Sequence, residues 1–257
     1  SSGKLLTKFE QENHLEITFL LLEENERQII TGSADGSVKV YSYTTGGLYM
    51  EFHRSSGEVV GIYPIGDRFY VIVYSNGDIH TLNVNYPISL DKDWLNHKKK
   101  AISCSAYHQG SSVLATGNEH DLTTWSTKSQ NILYSKFFKE ALIRLMFAEG
   151  IGLLVTQHND LSFNFLTDSN LELLLTIKCS VPRYDYGGHT VLAMRYLVEN
   201  KHLYMGWSQG WVTAVDMEPL VKQYYETNAD LYQNIQAKKA PELEAGKLMS
   251  FFVTELS

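Results

Sequence analysis

The stretch that decides the fold is residues 29–41, which read Ile29-Ile30-Thr31-Gly32-Ser33-Ala34-Asp35-Gly36-Ser37-Val38-Lys39-Val40-Tyr41. Asp35-Gly36 is a tight-turn signal, and it lies between two short runs of residues that favour strands. A second turn at residues 44–47, Thr-Thr-Gly-Gly, leads into the strand-like run Leu48–Phe52. The stretch therefore predicts three antiparallel strands joined by two hairpins.

Turns of the same kind recur along the chain at a nearly constant interval. The second residues of the turn pairs lie at positions 36, 77, 120, 159 and 210, so successive turns are 41, 43, 39 and 51 residues apart. Intervals near forty residues are typical of propeller blades. The pairs are Asp35-Gly36, Asn76-Gly77, Glu119-His120, His158-Asn159 and Gln209-Gly210.

Each unit begins with an apolar run that predicts one more strand, so the unit is four strands long. These runs are residues 17–22, 59–63, 102–106, 143–147 and 191–196. A four-stranded antiparallel sheet buries little alone, whereas radial packing of such sheets leaves only short, protected edges. We therefore predict an all-β fold: a β-propeller of four-stranded antiparallel blades, about five of them full and one partial, followed by a C-terminal helical tail.

The pattern divides the chain into two parts, residues 1–217 with the propeller repeats and residues 218–257 with a different periodicity. Residues 1–9 echo residues 44–52, which predicts the last strand of a blade whose other strands lie upstream, in a larger propeller, or in the C-terminal tail. Apolar residues recur at helical spacing over 219–238 and predict an amphipathic helix. Residues 248–254 alternate like a strand, which we expect to pair with residues 4–9.

Residues 31–42 resemble the signature of a WD-repeat blade, with Tyr41-Ser42 where the family has its Trp-Asp pair. In that family a His before the first strand, a Ser or Thr in the second strand and an Asp in the tight turn bond together with the Trp. The resemblance implies that His14, Thr31, Asp35 and Tyr41 form a version of this network, and that its role is structural.

The other units depart from the WD-repeat pattern. Thr116 and Trp125 fit it in the third unit, and His189 and Gly206 fit it in the fifth, where Gln209 replaces the acid. The second and fourth units keep only the hydrophobic skeleton. The chain thus resembles a degenerate WD-repeat β-propeller, a resemblance that is fairly specific for fold and says little about function.

A narrower resemblance rests on residues 16–18, 31–40 and 57–63. These stretches are similar to WD-repeat proteins of cilia and flagella, which usually have two propellers. The similarity implies that this chain is most of a second propeller in an axonemal scaffold.

Composition narrows the possible partners and compartments. The formal net charge of −7 argues against a nucleic-acid surface, and Lys98-Lys99-Lys100, the only basic run, is interpreted as a solvated loop between blades. No apolar stretch is long enough to cross a bilayer, and the first residues do not resemble a signal peptide. Cys104 and Cys179 are predicted to be buried free thiols, which favours a reducing, cytoplasmic location. The resemblance to proteins of cilia and flagella implies the axoneme as the more specific location.

Enzyme motifs are missing from the sequence: there is no nucleophile elbow, dinucleotide fingerprint, P-loop or zinc-protease helix. We therefore predict no catalytic residues, metal, cofactor or small-molecule substrate, and we favour a non-catalytic scaffold that binds other proteins of a larger complex. The alternative is a propeller hydrolase or lyase with a site at the central channel. That site requires polar groups on the first strands of several blades, and those strands are mostly apolar.

Residues 178–190 lengthen the last interval and contain Arg183, Tyr184 and Tyr186 beside a Gly pair. Arg and Tyr are typical of binding surfaces, so these three residues are candidates for a partner-binding loop. The alternative is a loop that grew under little constraint.

Overall fold

The computed structural model describes residues 15–23, 27–52, 54–66, 68–84, 86–90, 94, 100–148, 151–178, 190–208, 210, 212–219 and 254–255. These residues form five four-stranded antiparallel sheets, the blades of an all-β propeller, as the sequence predicts. Blade 1 contains β1 (Ile17–Glu23), β2 (Gln28–Ser33), β3 (Val38–Ser42) and β4 (Leu48–Phe52). Blade 2 contains β5 (Val59–Gly66), β6 (Phe69–Tyr74), β7 (Ile79–Asn83) and β8 (Tyr86–Leu90).

The remaining strands follow the same order. Blade 3 contains β9 (Cys104–His108), β10 (Val113–Gly117), β11 (Asp121–Ser126) and β12 (Ile132–Phe137). Blade 4 contains β13 (Leu142–Ala148), β14 (Leu153–His158), β15 (Ser162–Thr167) and β16 (Leu173–Lys178). Blade 5 contains β17 (Val191–Leu197), β18 (His202–Trp207), β19 (Val212–Asp216) and β20 (Thr254–Glu255). Each strand pairs with its sequence neighbour, so every blade is a meander.

The C-terminal strand completes blade 5. Thr213 pairs with Glu255 and Ala214 with Thr254, so β20 lies beside β19. The sequence predicted that this segment pairs with residues 4–9. Residues 4–9 and the rest of the expected partial blade lie outside the described residues, so that pairing stays a prediction. Of the predicted helix over 219–238, Glu218 and Pro219 have helical backbone, and residues 220–238 lie outside the described part. No described helix is long and apolar enough to cross a membrane.

By contacts the chain divides into two compact units, Ser1–Leu145 and Met146–Ser257. In the first unit, side-chain alternation along β6 explains how one sheet serves two cores. Tyr70 and Ile72 pack into a cluster with Ile30 and Val40 of blade 1. Val71 and Val73, which lie on the other face of β6, pack into a second cluster with Leu114 and Trp125 of blade 3. Blade 2 is therefore buried on both faces.

The second unit has its own core. β14 and β15 are buried along their whole length, and Val155 and Phe163 pack there with Leu203 and Trp207 of blade 5. His158 is also buried there, 1% exposed, and its Nε2 lies 2.9 Å from both Thr156 Oγ1 and Asn164 Nδ2. The sequence placed His158 in a turn, whereas the structure makes it the last residue of β14.

An Asx residue stabilises the turn between the second and third strands in four blades. Asp35 Oδ1 accepts the Ser37 N–H at 3.1 Å, and Asp160 Oδ1 accepts the Ser162 N–H at 3.0 Å. Asn76 and Asn118 act in the same way in blades 2 and 3. Such side-chain bonds mimic a backbone turn, which explains why the turns persist where the sequence repeat is weak.

The turn of blade 4 lies two residues beyond its predicted position. Leu161 has a φ of 63°, and its N–H donates to His158 O, as the N–H of Gly36, with a φ of 79°, donates to Ser33 O. The turn pair is thus Asp160-Leu161, and the prediction of His158-Asn159 was wrong. Glycine is the usual residue at a positive φ, and its replacement by Leu161 concealed the turn.

Asp160 makes the stability of the second unit depend on pH. Hydrogen bonds from Ser162, with help from Lys178, lower the pKa of Asp160 to about 2 from 3.8. Because the folded-state pKa is the lower one, the stabilisation is complete above about pH 5 and is lost as the pH falls towards 2. Asp160→Asn keeps an acceptor for the Ser162 N–H but removes the charge, so we expect it to cost roughly 1 kcal/mol at pH 7, after allowance for solvent screening, and almost nothing at pH 2.

Urea unfolding of both proteins between pH 2 and pH 7 checks this expectation, with the exposed turn variant Glu119→Gln as the control. A difference between wild type and Asp160→Asn that stays constant over this range would contradict the assignment.

Candidate functional site

The first unit contains an open groove of about 990 Å³, where the segments that precede the first strands of blades 2 and 3 meet the turns of those blades. Its floor is tied together by backbone hydrogen bonds. Ser75 N donates to Glu58 O at 2.8 Å, and Ile102 N donates to Ser75 O at 2.9 Å. Thr18 Oγ1 of blade 1 donates to Val59 O at 2.7 Å. These bonds satisfy the backbone of the floor and hold it rigid.

The rim of the groove carries an exposed aromatic pair. The rings of His120 and Phe137 lie 5.6 Å apart at an interplanar angle of 33°, and Phe137 is 70% exposed. Two backbone bonds fix the turn beneath them: Phe138 N donates to His120 O, and Leu142 N donates to Glu119 O. His120 Nδ1 has no hydrogen-bond partner among the described residues. Because that nitrogen is also buried, the part of the pair that a partner can reach is the apolar ring of Phe137.

Charged groups surround this pair. Lys100 Nζ lies 2.6 Å from Asp121 Oδ2, and the hydrogen bond and charge of Lys100 lower the pKa of Asp121. The carboxylate-bearing residues Glu58 and Glu119 are exposed on the same rim. The ionised groups among the described lining residues are therefore three carboxylates and one ammonium, so the rim is acidic and suits a partner with positive charge.

The described residues do not assemble a metal-binding cluster. No three His, Cys, Asp or Glu side chains among them come together as metal ligands would. Cys104 is free and buried, as predicted, and burial raises the pKa of its thiol to about 12. Cys104 is therefore protonated at neutral pH and is a poor nucleophile. Cys179 lies outside the described part.

The predicted blade 1 network is only partly visible. Asp35 Oδ1 accepts hydrogen bonds from Ser37, and Asp35 Oδ2 forms an ion pair with Arg54 at 2.7 Å. Oδ2 accepts no hydrogen bond of good geometry from the described residues. Thr31 Oγ1 is buried without a hydrogen-bond partner among the described residues, and Tyr41 is buried in the sheet. His14 lies outside the described residues. Asp35 thus stabilises its own turn, with no bond to Thr31.

The Trp–Thr bond that the WD-repeat resemblance implies is present in blade 3. Trp125 is 1% exposed, and its Nε1 donates to Thr116 Oγ1 at 2.9 Å inside the sheet. In blade 5, Trp207 Nε1 donates at 2.9 Å to Thr213 Oγ1, which lies on the third strand. The indole donor is satisfied in both blades, although the threonine comes from a different strand in each.

Sequence reasoning missed the rim residues of the groove. Phe137 and Phe138 are consecutive residues at the end of a strand, so they point to opposite sides; Phe138 is 7% exposed and Phe137 is not covered. This pair was a usable signal for an exposed aromatic ring. The predicted partner-binding residues Arg183, Tyr184 and Tyr186 lie outside the described part of the chain.

Comparisons with known proteins support the fold. No protein-family model matches the chain, and no curated protein sequence matches it. Among solved structures, the computationally designed Ika4 protein is similar with a TM-score of 0.54 and 19% identity, over 64% of this chain and 98% of that one. The computationally designed Ika8 protein is similar with a TM-score of 0.61 and 17% identity, over 80% of this chain and 59% of that one. At such identities the likeness concerns the fold alone.

The turn of blade 1 can be tested at Asp35. Partial burial favours the protonated acid, but the Ser37 bonds and the charge of Arg54 outweigh it and lower the pKa of Asp35. Asp35→Ala removes the acceptor for two Ser37 donors, so we expect it to lower the free energy of unfolding by about 1 to 3 kcal/mol. Asp35→Asn, the matched control, keeps that acceptor and is expected to cost less. Denaturant unfolding measures both, and an unchanged stability of Asp35→Ala would refute the role of this turn.

Proposed function

We propose that this chain is a non-catalytic scaffold that binds other proteins through the groove of the first unit. The observation that carries the proposal is the exposed Phe137 ring, held against His120 above a hydrogen-bonded floor. Protein interfaces obtain most of their affinity from a few aromatic or Arg anchors inside a polar rim. Since the ring already rests on its neighbour, a partner that covers it loses little side-chain entropy.

The first strands of the blades favour a scaffold over the alternative, a propeller hydrolase or lyase. A site at the central channel needs carboxylates or histidines that converge from several of these strands. β5 instead reads Val-Val-Gly-Ile-Tyr-Pro-Ile-Gly. Apart from hydroxyl groups, the polar side chains of β9 are Cys104 and the terminal His108, and the polar side chain of β17 is Arg195. Burial and a raised pKa make Cys104 unreactive.

The WD-repeat assignment and the ciliary context belong to the same proposal. The Trp125–Thr116 bond supports a degenerate WD-repeat blade. The axonemal context rests on the sequence resemblance of residues 16–18, 31–40 and 57–63. We propose on that basis that the chain is a structural component of a large assembly, with proteins as partners and without cofactor, nucleic acid, membrane or small-molecule substrate.

The proposal predicts that partner capture depends on the groove. In cells that express the chain fused to a proximity-labelling enzyme, Phe137→Ala should lose the main labelled proteins, because it removes the aromatic anchor without opening the core. Tyr49→Ala is the matched control, since Tyr49 is a comparable ring, 66% exposed, on the outer strand of blade 1. Labelling measured by quantitative mass spectrometry should fall at least about tenfold for Phe137→Ala and change little for Tyr49→Ala.

Equal labelling by wild type and Phe137→Ala would show that the groove is not the binding surface. Recovery of axonemal proteins among the groove-dependent partners would support the ciliary context, and a groove-dependent set without them would contradict it.

A further inference from the structure

A second surface of the first unit lies on the outer strand of blade 3. β12 pairs with β11 on one side, and within the described part of the chain no strand pairs with its other side. An edge of this kind presents N–H and C=O groups that another strand can pair with. We define the β12 edge as residues 132–136, separate from Phe137, which belongs to the groove.

The β12 edge carries three large apolar side chains that are exposed. Ile132, Leu133 and Tyr134 are consecutive and are 45%, 42% and 43% exposed. Large aliphatic and aromatic side chains of this kind favour strands and pack well against the side chains of a neighbouring strand. Natural edges are commonly protected by charges, bulges or short strands; these three residues carry no charge, and Lys136 is the one charged residue of β12.

The backbone geometry leaves part of β12 regular. The register with β11 shifts between the partners of Thr124 and Trp125, so Leu133 is the extra residue of a β-bulge. Beyond the bulge, residues 134–137 pair in unbroken register with Thr124 through Asp121. An added strand would therefore follow residues 134–136, with Leu133 at its end.

The charge around this edge is opposite to that of the whole chain. Residues 128–140 contain Lys128, Lys136, Lys139 and one acid, Glu140, a formal charge of +2 in a chain of −7. Lys128 and Lys139 are exposed, and neither has an ion-pair partner among the described residues.

The lysines near β12 determine which kind of strand can pair with its free edge. Two β12 edges facing each other would bring their lysines together, and like charges on paired strands are destabilising. A strand with acidic residues gains attraction from the same lysines. We propose that the β12 edge binds an extended segment of another protein, in which apolar residues alternate with Asp or Glu, by adding it as a fifth strand to blade 3.

The test uses the 257-residue chain and a fluorescent peptide of about twelve residues that alternates Glu with Val. The comparison peptides carry Lys in place of Glu, or N-methyl groups on the central residues, which remove backbone donors. Fluorescence anisotropy should show saturable binding of the Glu peptide, binding at least about tenfold weaker for the Lys peptide, and none for the N-methylated peptide. Hydrogen exchange should slow at residues 132–136 when the Glu peptide is bound.

Leu133→Glu should weaken binding of the Glu peptide about tenfold through like-charge repulsion. The matched control is Tyr49→Glu, because Tyr49 is the bulge residue of β4, and it should leave binding unchanged. Lack of saturable binding, equal binding of the Glu and Lys peptides, or full binding by Leu133→Glu would overturn the proposal. Sedimentation of the chain as a dimer that Leu133→Glu dissociates would overturn it in favour of self-association.

Discussion

The structure of the first unit depends on how closely one blade can approach the next. A Cβ at Gly32, on β2, would lie 2.6 Å from the Val59 Cβ at the start of blade 2. A Cβ at Gly117, on β10, would meet Leu142 at the start of blade 4 and lie 2.8 Å from Cys104 Sγ. No side chain fits at either point, so each glycine lets the first strand of a later blade rest on the backbone of an earlier one. Both faces of a thin sheet are buried as a result.

The close contact between neighbouring blades also positions the groove. Once Val59 rests on Gly32, the segment that precedes β5 lies beside the turn of its own blade, and the Glu58–Ser75 bonds follow. The segment that precedes β9 is held in turn by Ser75, which places Lys100 beside Asp121. The turn of blade 3 then carries His120 to the Phe137 ring. The site is thus a consequence of blade packing, and its chemistry comes from residues on rigid elements.

The sequence predicted the fold well because its signals were local. Asp35-Gly36 and Asn76-Gly77 marked turns, and alternating apolar runs marked the first strands. The turn at Asp160 was misplaced because Leu161 holds the conformation that glycine usually signals. The His120–Phe137 contact was missed because it joins residues far apart in sequence, which only the blade 3 register brings together. The pairing of β20 with β19 was not predicted, because a two-residue strand carries no periodicity to specify its partner.

The most direct test of this account is the stability of Gly32→Ala against Gly66→Ala, by denaturant unfolding monitored through tryptophan fluorescence. Gly66 also lies in a strand of the first unit, but a Cβ there would meet nothing within 4 Å. We expect Gly32→Ala to lose about 2 kcal/mol or more through overpacking against Val59, and Gly66→Ala to change by less than about 1 kcal/mol. Equal stability of the two variants would contradict the claim that close approach of the blades holds the unit together.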